Sequence, residues 1–415
     1  MTEPSDQGSP PGSGTGAPPG RGSLLEVAVA FLRLGCLSFG GPIAHLGYLR
    51  AEIVEKRRWI DDAHYGDLVA LCQFLPGPAS SQVVFALGMQ RAGLFGALVA
   101  SACFTLPSAL LMIGFAYGVS WASDLSGAGW LRGLKLAAVA VVAQAVWGMG
   151  KKLCTDRARI SICVASAAVL LSVPGAVAQL GVIALGGLSG YVLYRDAVAV
   201  GPSPAGEGGA RAHLVAAGAL VAFFALLVAL PALASATGSR ELAVFDGFYR
   251  SGSLVFGGGH VVLPLLRAEL VPRGWLGDDA FLAGYGAAQA LPGPLFAFAA
   301  YLGTAMESGP TRWAAGLWAL VALFLPGWLL IGGAVPFWHR LRAKRWAQAA
   351  LAGANASVVG VLLAALYTPV ITEGVHGARD VVAALLAFAL LEHWKAPPWL
   401  VVAASAAAGQ WLLGS

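Results

Sequence analysis

The chain has 415 residues, 58% of them apolar and only 11% charged, and its mean hydropathy is +0.73. Soluble domains carry about a quarter charged residues, so the composition excludes a soluble globular protein and predicts an all-α polytopic membrane protein in a lipid bilayer. The net charge of +5 matches the Lys and Arg excess of cytoplasmic loops, and no basic patch indicates a nucleic-acid partner. The five cysteines lack metal-ligand spacing, and we interpret them as reduced packing residues.

The first part of the chain divides into a tail and a repeat. Residues 1–23 are rich in Gly, Pro and Ser, a composition that buries too little apolar surface to fold, so we predict a disordered tail. No cleavable signal is recognised in it. The first repeat is predicted over 24–195, and about 20 apolar residues per crossing place its segments near 24–48, 64–90, 93–118, 130–149, 158–174 and 177–194.

The second part contains one helix without a counterpart. Residues 196–240 hold a polar linker and an unpaired transmembrane helix, Leu214–Ala236. The second repeat is predicted over 241–415, with segments near 241–264, 280–304, 312–336, 346–367, 379–392 and 397–413. The prediction is therefore about 13 transmembrane segments.

Two sequence elements establish the duplication. Phe39-Gly40-Gly41 recurs 217 residues later as Phe256-Gly257-Gly258, and Leu75-Pro76-Gly77-Pro78 recurs as Leu291-Pro292-Gly293-Pro294. A fixed period of this kind indicates two copies of one unit. Single residues recur as well: Arg50-Ala51-Glu52 as Arg267-Ala268-Glu269, and Trp59 and Asp62 as Trp275 and Asp279.

The number of crossings predicts how the two repeats are oriented. Six segments and one unpaired helix make an odd number, so the second repeat enters the membrane from the opposite side, as inverted-topology repeats do. Lys151 and Lys152 then share the cytoplasmic side with Arg340 and Arg342, with the N-terminus cytoplasmic and the C-terminus outside. The basic cluster 56–58 disagrees, because it would lie outside; a re-entrant segment 24–48 is the alternative, and it would change the count.

The repeated elements interrupt apolar segments where proline removes a backbone donor and glycine weakens the helix. Backbone freed at membrane depth must be buried in protein or line a wet cavity, and paired interruptions point to a transporter's substrate site. A restarting helix offers N–H groups that suit an anion. A packing kink is the alternative. The candidate substrate-binding residues are Gly40, Gly41, Pro42, Pro76, Gly77, Pro78, Gly257, Gly258, Pro292, Gly293 and Pro294.

Arg33 and Arg250 lie inside apolar segments. Each stands eight residues before the second glycine of its Phe-Gly-Gly element, Gly41 or Gly258. A charged side chain there costs about 2.5–3.5 kcal/mol on insertion scales. We interpret the two guanidinium groups as counter-charge for an oxyanion, with snorkelling to the interface as the alternative. The repeated Arg-Ala-Glu elements are interpreted as interfacial ion pairs.

Uncharged polar residues complete the candidate site. Gln73 and Gln289 stand three residues before each Pro-Gly-Pro, where an amide can donate to an oxyanion or bond a neighbouring helix. His260 either couples protons or is a hydrogen-bonded core histidine. Asn355 and Gln144 are interpreted as contacts between helices.

No catalytic constellation is recognised. The chain has no phosphate-binding GxxxxGK[ST] element, no GxSxG, no HExxH and no spaced His/Cys cluster. We therefore predict no enzyme activity, cofactor or metal site. An anion channel and, more distantly, an intramembrane enzyme are the alternatives from other classes.

The paired Phe-Gly-Gly and Gln-x-Leu-Pro-Gly-Pro elements, with Trp59-Ile60-Asp61-Asp62, resemble the chromate ion transporter (CHR) family in its long two-domain form. The resemblance covers the chain from about residue 24 to the end. It implies a bacterial inner-membrane carrier that expels chromate and confers chromate resistance, with sulfate as the similar oxyanion. The second copy departs from the first, since Gly259-His260 replaces Pro42-Ile43.

Physical chemistry favours export. Moving a charge across the membrane is worth about 2.3 kcal/mol per 100 mV, so a dianion leaves an inside-negative cell on the potential alone. Transport of sulfate or another oxyanion, coupling to protons and assembly as a homodimer are also compatible with the sequence.

Overall fold

The computed structural model describes residues 22–39, 41–121, 129–173, 175–194, 210–255, 259–337 and 344–412. Most of the predicted tail, the linker residues 201–209 and three candidate residues, Gly40, Gly257 and Gly258, lie outside these ranges. The described residues form helices and connecting turns, with no strand among them.

In the first repeat the helices are α1 (Leu24–Leu37), α2 (Gly41–Leu49, extended by a π-helical turn Arg50–Lys56), α3 (Asp62–Phe74), α4 (Ala79–Trp121), α5 (Gly129–Leu153), α6 (Arg157–Ser172) and α7 (Ala176–Tyr194). The unpaired helix is α8 (Ala210–Thr237). The second repeat contains α9 (Arg240–Ser253), α10 (Val262–Leu270), α11 (Asp278–Ala288), α12 (Phe298–Ala305), α13 (Trp313–Ala334), α14 (Arg345–Ala365), α15 (Ala378–Glu392) and α16 (Pro398–Leu412).

The helices confirm a multi-pass membrane protein. Among the described residues, six helices are long and apolar enough to cross a bilayer: Ala79–Val119, Gly129–Leu153, Val177–Tyr194, His213–Thr237, Trp313–Phe337 and Arg345–Gly374. The count of about 13 segments stays a prediction.

The first helix of each repeat is too short to cross the membrane. Ser23 caps α1 by accepting from the N–H of Glu26, and Ser239 caps α9 by accepting from Leu242. Both helices have 14 residues, which at 1.5 Å per residue span about 21 Å of a hydrocarbon core of about 30 Å. Each ends just before the Phe-Gly-Gly element, where glycine disfavours helix.

The chain of the first repeat returns twice to the start of α1. Trp59 donates from Nε1 to Glu26 at 3.1 Å, and Arg91 pairs with Glu26 at 3.0 Å. Arg91 ends the first arm of α4, which breaks at Ala92 and Gly93 before a second arm continues to Trp121. Two helical hairpins, α1–α2 and α3 with that first arm, therefore begin and end at one edge.

The second repeat has the same arrangement at the other end of the long helices. Arg240, at the start of α9, donates to the carbonyl of Met306, after α12. The turn between α12 and α13 accepts a 2.7 Å hydrogen bond at Pro310 from Tyr117, which lies at the end of α4 distant from Arg91. The hairpins of the two repeats thus begin at opposite ends of the second arm of α4.

Each repeat packs its last two helices on the other repeat. Helices α6 and α7 contact α14, and α15 and α16 contact α5. Glycines make this possible: a Cβ on Gly353 would lie 2.6 Å from Gly190 Cα, and one on Gly409 would lie 2.6 Å from Gly133 N. The helix backbones therefore touch at both crossings, as small residues allow in membranes.

Candidate functional site

The four glycine-containing interruptions meet in crossed pairs. The N–H of Gly77 donates to the carbonyl of Val255 at 2.7 Å, and the N–H of Gly293 donates to the carbonyl of Ser38 at 2.8 Å. Ser38 and Val255 are themselves 217 residues apart and directly precede the two Phe-Gly-Gly elements. Each Pro-Gly-Pro of one repeat is therefore bonded to the Phe-Gly-Gly region of the other.

Only glycine fits at the centre of each Pro-Gly-Pro. Gly77 has φ of +124° and Gly293 has φ of +91°, in the region that side chains rarely adopt. A Cβ on Gly77 would lie 2.7 Å from Gln82 Nε2, and one on Gly293 would lie 2.8 Å from Ser108 Oγ. The interruptions are thus tightly packed, which is the arrangement required of irregular backbone at membrane depth.

Proline-containing helices from the opposite repeat support these interruptions. Pro326 lies inside α13, and the next residue, Gly327, comes so close that its Cβ would lie 3.2 Å from Pro78 Cδ. Pro107 lies inside the second arm of α4, beside Ser108, which contacts Gly293. The contacts between the two repeats at the interruptions therefore include close packing as well as hydrogen bonds.

Several buried hydrogen-bond donors near the interruptions have no acceptor in the described part of the chain. They are Ser38 Oγ, Ser81 Oγ, Gln289 Nε2 and Trp328 Nε1. Ser38 and Ser81 are buried at 0% and 2% exposure. An unsatisfied buried polar group costs about 1–3 kcal/mol, so each donor is suited to a ligand oxygen. An oxyanion could accept from such groups.

Sequence reasoning missed the serines because they are not repeated. The counterpart of Ser38 is Val255, and that of Ser81 is Ala297. Their position beside Phe39-Gly40 and Pro78 was the available signal. Gln82 was missed too; fully buried, it donates from Nε2 to the carbonyls of Pro76 at 2.8 Å and Gly327 at 3.4 Å.

The two candidate arginines lie in different environments. Arg33 is exposed on a face of α1 that it shares with Leu25 and Leu37, and no hydrogen bond or ion pair of Arg33 is found among the described residues. Arg250 pairs with Asp246 and, at 3.6 Å, with Glu269. The difference follows from the sequence, because position 246 corresponds to Val29 in the first repeat.

The interfacial ion pairs differ from those expected. Arg50 contacts Glu55 and Asp62 rather than Glu52, and Arg267 contacts Asp278 rather than Glu269. The structural counterpart of Asp62 is therefore Asp278 and not Asp279. Glu269 instead binds Arg273 at 3.1 Å, beside Arg250.

The remaining predicted residues are distributed over this region. His260 Nδ1 lies 2.7 Å from the hydroxyl of Tyr285, so the histidine has a hydrogen-bond partner. Gln289 ends α11 with Nε2 buried, whereas Gln73 is exposed to a cavity. Pro42 belongs to α2, but its side chain lies outside the described part of the structure.

The cavity lies between α3 and α14. It has a volume of about 340 Å³ and is lined by Ala70, Gln73, Phe74, Leu153, Arg159, Gln348, Leu351, Ala352 and Asn355. Arg159 is held at its wall by Asp156, 3.1 Å away, and by the ring of Tyr194. Hydrogen bonds from the Tyr194 hydroxyl and the Arg159 N–H lower the pKa of Asp156, which therefore stays ionised near neutral pH.

Helices α11 and α5 are the repeat counterparts of α3 and α14, but they pack directly against each other. Lys135 on α5 pairs with Asp279 on α11, and a Cβ on Gly286 would lie 2.6 Å from the carbonyl of Leu134. The two repeats are thus unequal: one pair of helices encloses a cavity and the equivalent pair is closed.

Metal binding has no support in the described ranges. No group of three or more His, Cys, Asp and Glu side chains there could hold a metal ion. The polar groups at the interruptions suit binding of an anion by donors and backbone N–H groups.

The chain is similar to known proteins over most of its length. The family model described as Chromate transporter matches residues 25–191 and 242–410. The chain is 31% identical over 349 residues to the chromate transport protein of Pseudomonas aeruginosa, covering 82% of this chain and 79% of that protein. It is 29% identical to that of Cupriavidus metallidurans, over 93% and 92% of the two chains. It is 27% identical to a probable chromate transport protein of Synechococcus elongatus, over 93% and 95%.

No solved structure matches the chain. The family match includes both Pro-Gly-Pro elements and both segments that precede them. Relatives named as transport proteins also agree with the absence of any catalytic motif in the sequence. The two matched repeats and the relatives together show that this chain belongs to the chromate transporter family.

Proposed function

We propose that the chain is a secondary carrier that exports chromate across the bacterial inner membrane, driven by the membrane potential or the proton-motive force, and that it thereby confers chromate resistance. The observation that carries this proposal is the crossed pairing of Gly77 with Val255 and of Gly293 with Ser38. Broken helices that meet at the contact between two repeats are where secondary transporters bind their substrates.

The proposed topology is that of inverted repeats with re-entrant hairpins. The hairpins around Trp59 and Arg91 return to the start of α1, which supports a re-entrant segment 24–48. The basic cluster 56–58 would then face the cytoplasm together with Lys151 and Lys152, removing the exception to the positive-inside rule. The hairpins of the second repeat, which begin at the opposite end of the second arm of α4, would face outward.

The substrate would lie among the four interruptions. The unpartnered donors of Ser38, Ser81 and Gln289 would bind oxyanion oxygens, together with backbone N–H groups near Gly40, Gly41, Gly257 and Gly258. Arg33 and Arg250 remain candidates for the counter-charge of the oxyanion, although Arg250 already forms ion pairs with Asp246 and Glu269.

Alternating access would exchange the roles of the two repeats. The cavity between α3 and α14 would be open to the cytoplasm, while contact of α5 with α11 closes the outer side. Rocking of one repeat against the other, with the interruptions as hinges, would open α5 from α11 and close α3 on α14. Because the repeats are related, closure of α3 on α14 would bring together positions equivalent to those in contact between α11 and α5.

Chromate uptake into everted membrane vesicles with an imposed potential tests the proposal. The parent is compared with Arg33→Ala and Arg250→Ala, with sulfate as competitor. Saturable, potential-driven uptake supports a carrier, and its loss in either variant with normal membrane levels assigns that arginine to the site. Flux that does not saturate indicates an anion channel. Sulfate uptake without chromate uptake indicates a carrier for a different oxyanion.

A further inference from the structure

The cavity between α3 and α14 has a composition that suits an anion. Its polar lining consists of one guanidinium group, that of Arg159, and three carboxamides, those of Gln73, Gln348 and Asn355. None of the nine described residues that line it carries a carboxylate. Sequence reasoning treated Asn355 as a contact between helices and assigned no role to Arg159.

Arg159 is oriented before any ligand arrives. Its Nη1 donates to Thr155 Oγ1 at 3.3 Å, its Nε faces Asp156 at 3.1 Å, and its guanidinium lies 4.9 Å from the ring centre of Tyr194. These contacts hold the guanidinium group at the wall of the cavity, where its charge faces the interior. A planar guanidinium fixed in this way loses little side-chain entropy when it binds a tetrahedral oxyanion.

The cavity also extends from the start of α6 to the end of α3. Arg159 belongs to the first turn of α6, beside the loop that follows Lys151 and Lys152, whereas Gln73 lies in the last turn of α3, directly before Leu75-Pro76-Gly77. A water occupies about 30 Å³, so 340 Å³ holds about ten waters. An ion can therefore enter with part of its hydration shell.

We propose that this cavity is a separate entry site for divalent tetrahedral oxyanions, in which Arg159 supplies the charge and Gln73 and Asn355 supply amide donors before the ion reaches the interruptions. The inference rests on the proposed function and deepens it. Because the ion keeps part of its water there, the entry site selects by charge and admits chromate and sulfate alike. Discrimination between the two would occur at the interruptions.

The test uses the full-length protein reconstituted in lipid nanodiscs for equilibrium binding of chromate and in proteoliposomes for transport. The variants are Arg159→Gln and Asn355→Asp, which places a negative charge in the cavity with little change of shape. Arg157→Gln is the matched control, since Arg157 is an exposed residue of the same turn that does not line the cavity. Thermal unfolding verifies that each variant is folded.

Loss of one charge-assisted hydrogen bond is expected to raise the chromate Kd and KM about tenfold. The KM for sulfate should rise by the same factor, and Arg157→Gln should leave both unchanged. If the parent transports chromate and both cavity variants keep the parent Kd and KM, the entry site is wrong and the proposed function stands. If the parent transports no oxyanion, the proposed function fails; chromate binding that Arg159→Gln weakens would still support the site, and binding that it leaves unchanged would overturn it.

Discussion

Arg132 donates to both carboxylate oxygens of Asp380, from Nε at 3.0 Å and from Nη2 at 2.8 Å, although Asp380 is fully buried. The pair joins α5 of the first repeat to the start of α15 in the second. Asp380 also accepts from the N–H of His376 at 2.9 Å. A carboxylate in this position depends on its partner, because a buried charge without one is costly.

The variant Arg132→Leu should therefore destabilise the protein by about 3 kcal/mol, toward the lower end of values for broken buried pairs because the arginine is partly exposed. The double variant Arg132→Leu/Asp380→Asn should recover part of this loss, since no buried charge is left over. Thermal unfolding in one detergent measures both. A double variant less stable than Arg132→Leu would contradict the explanation.

The glycine at the centre of the first Pro-Gly-Pro should tolerate no side chain. Gly77→Ala places a Cβ against Gln82 and adopts a φ that costs about 1–2 kcal/mol outside glycine. We expect transport to be lost and unfolding to occur at a lower temperature. The matched control is Gly66→Ala in α3, whose Cβ would meet no atom within 4 Å; unchanged transport in both variants would refute the packing argument.

Helices α5 and α11 should need to separate during transport. In a background without the five native cysteines, Lys135→Cys combined with Asp279→Cys is expected to be joined by a short, reductant-cleavable bifunctional maleimide, because the side chains of Lys135 and Asp279 reach each other across the two helices. Crosslinking should abolish transport and a reductant should restore it, with the single-cysteine variants unaffected. Full transport by the crosslinked protein would rule out this movement.

The two repeat-related arginines should differ in their effects on stability. Arg250→Ala leaves Asp246 and Glu269 with one fewer cation, and we expect a loss of about 2 kcal/mol, reduced by the partial exposure of Arg250. Adding Asp246→Asn should restore part of it. Arg33→Ala should leave the unfolding temperature unchanged, because no partner of Arg33 is found within the described residues. Equal losses in both single variants would contradict this difference.

The duplication and the positions of the interruptions could be predicted from the sequence. Phe39-Gly40-Gly41 and Pro76-Gly77-Pro78 break apolar segments, and glycine and proline impose such breaks locally. The crossed partners Val255 and Ser38 could not be predicted, since a hydrogen bond over such a separation depends on the tertiary fold. Ser81 and other residues found in only one copy could not be predicted either, because the duplication marks only the residues that recur in both repeats.

Equivalent residues can also acquire different partners. Arg33 and Arg250 match in the sequence, but Val29 in one repeat and Asp246 in the other give the two guanidinium groups different surroundings. The counterpart of Asp62 was predicted one position too late, as Asp279, for a different reason. Asp278 and Asp279 are adjacent in the sequence, and only the side-chain contact with Arg267 identifies Asp278 as the equivalent residue. Sequence similarity finds the position, whereas neighbouring side chains determine its role.

The exchange of terminal helices has a consequence for biosynthesis. A ribosome produces the first repeat before the second. The face of α5 that packs against α15 and α16 therefore stays exposed until those two helices have been synthesised. Likewise α6 and α7 wait for α14. The first half therefore cannot complete its packing during its own synthesis, and its assembly depends on the helices of the second half.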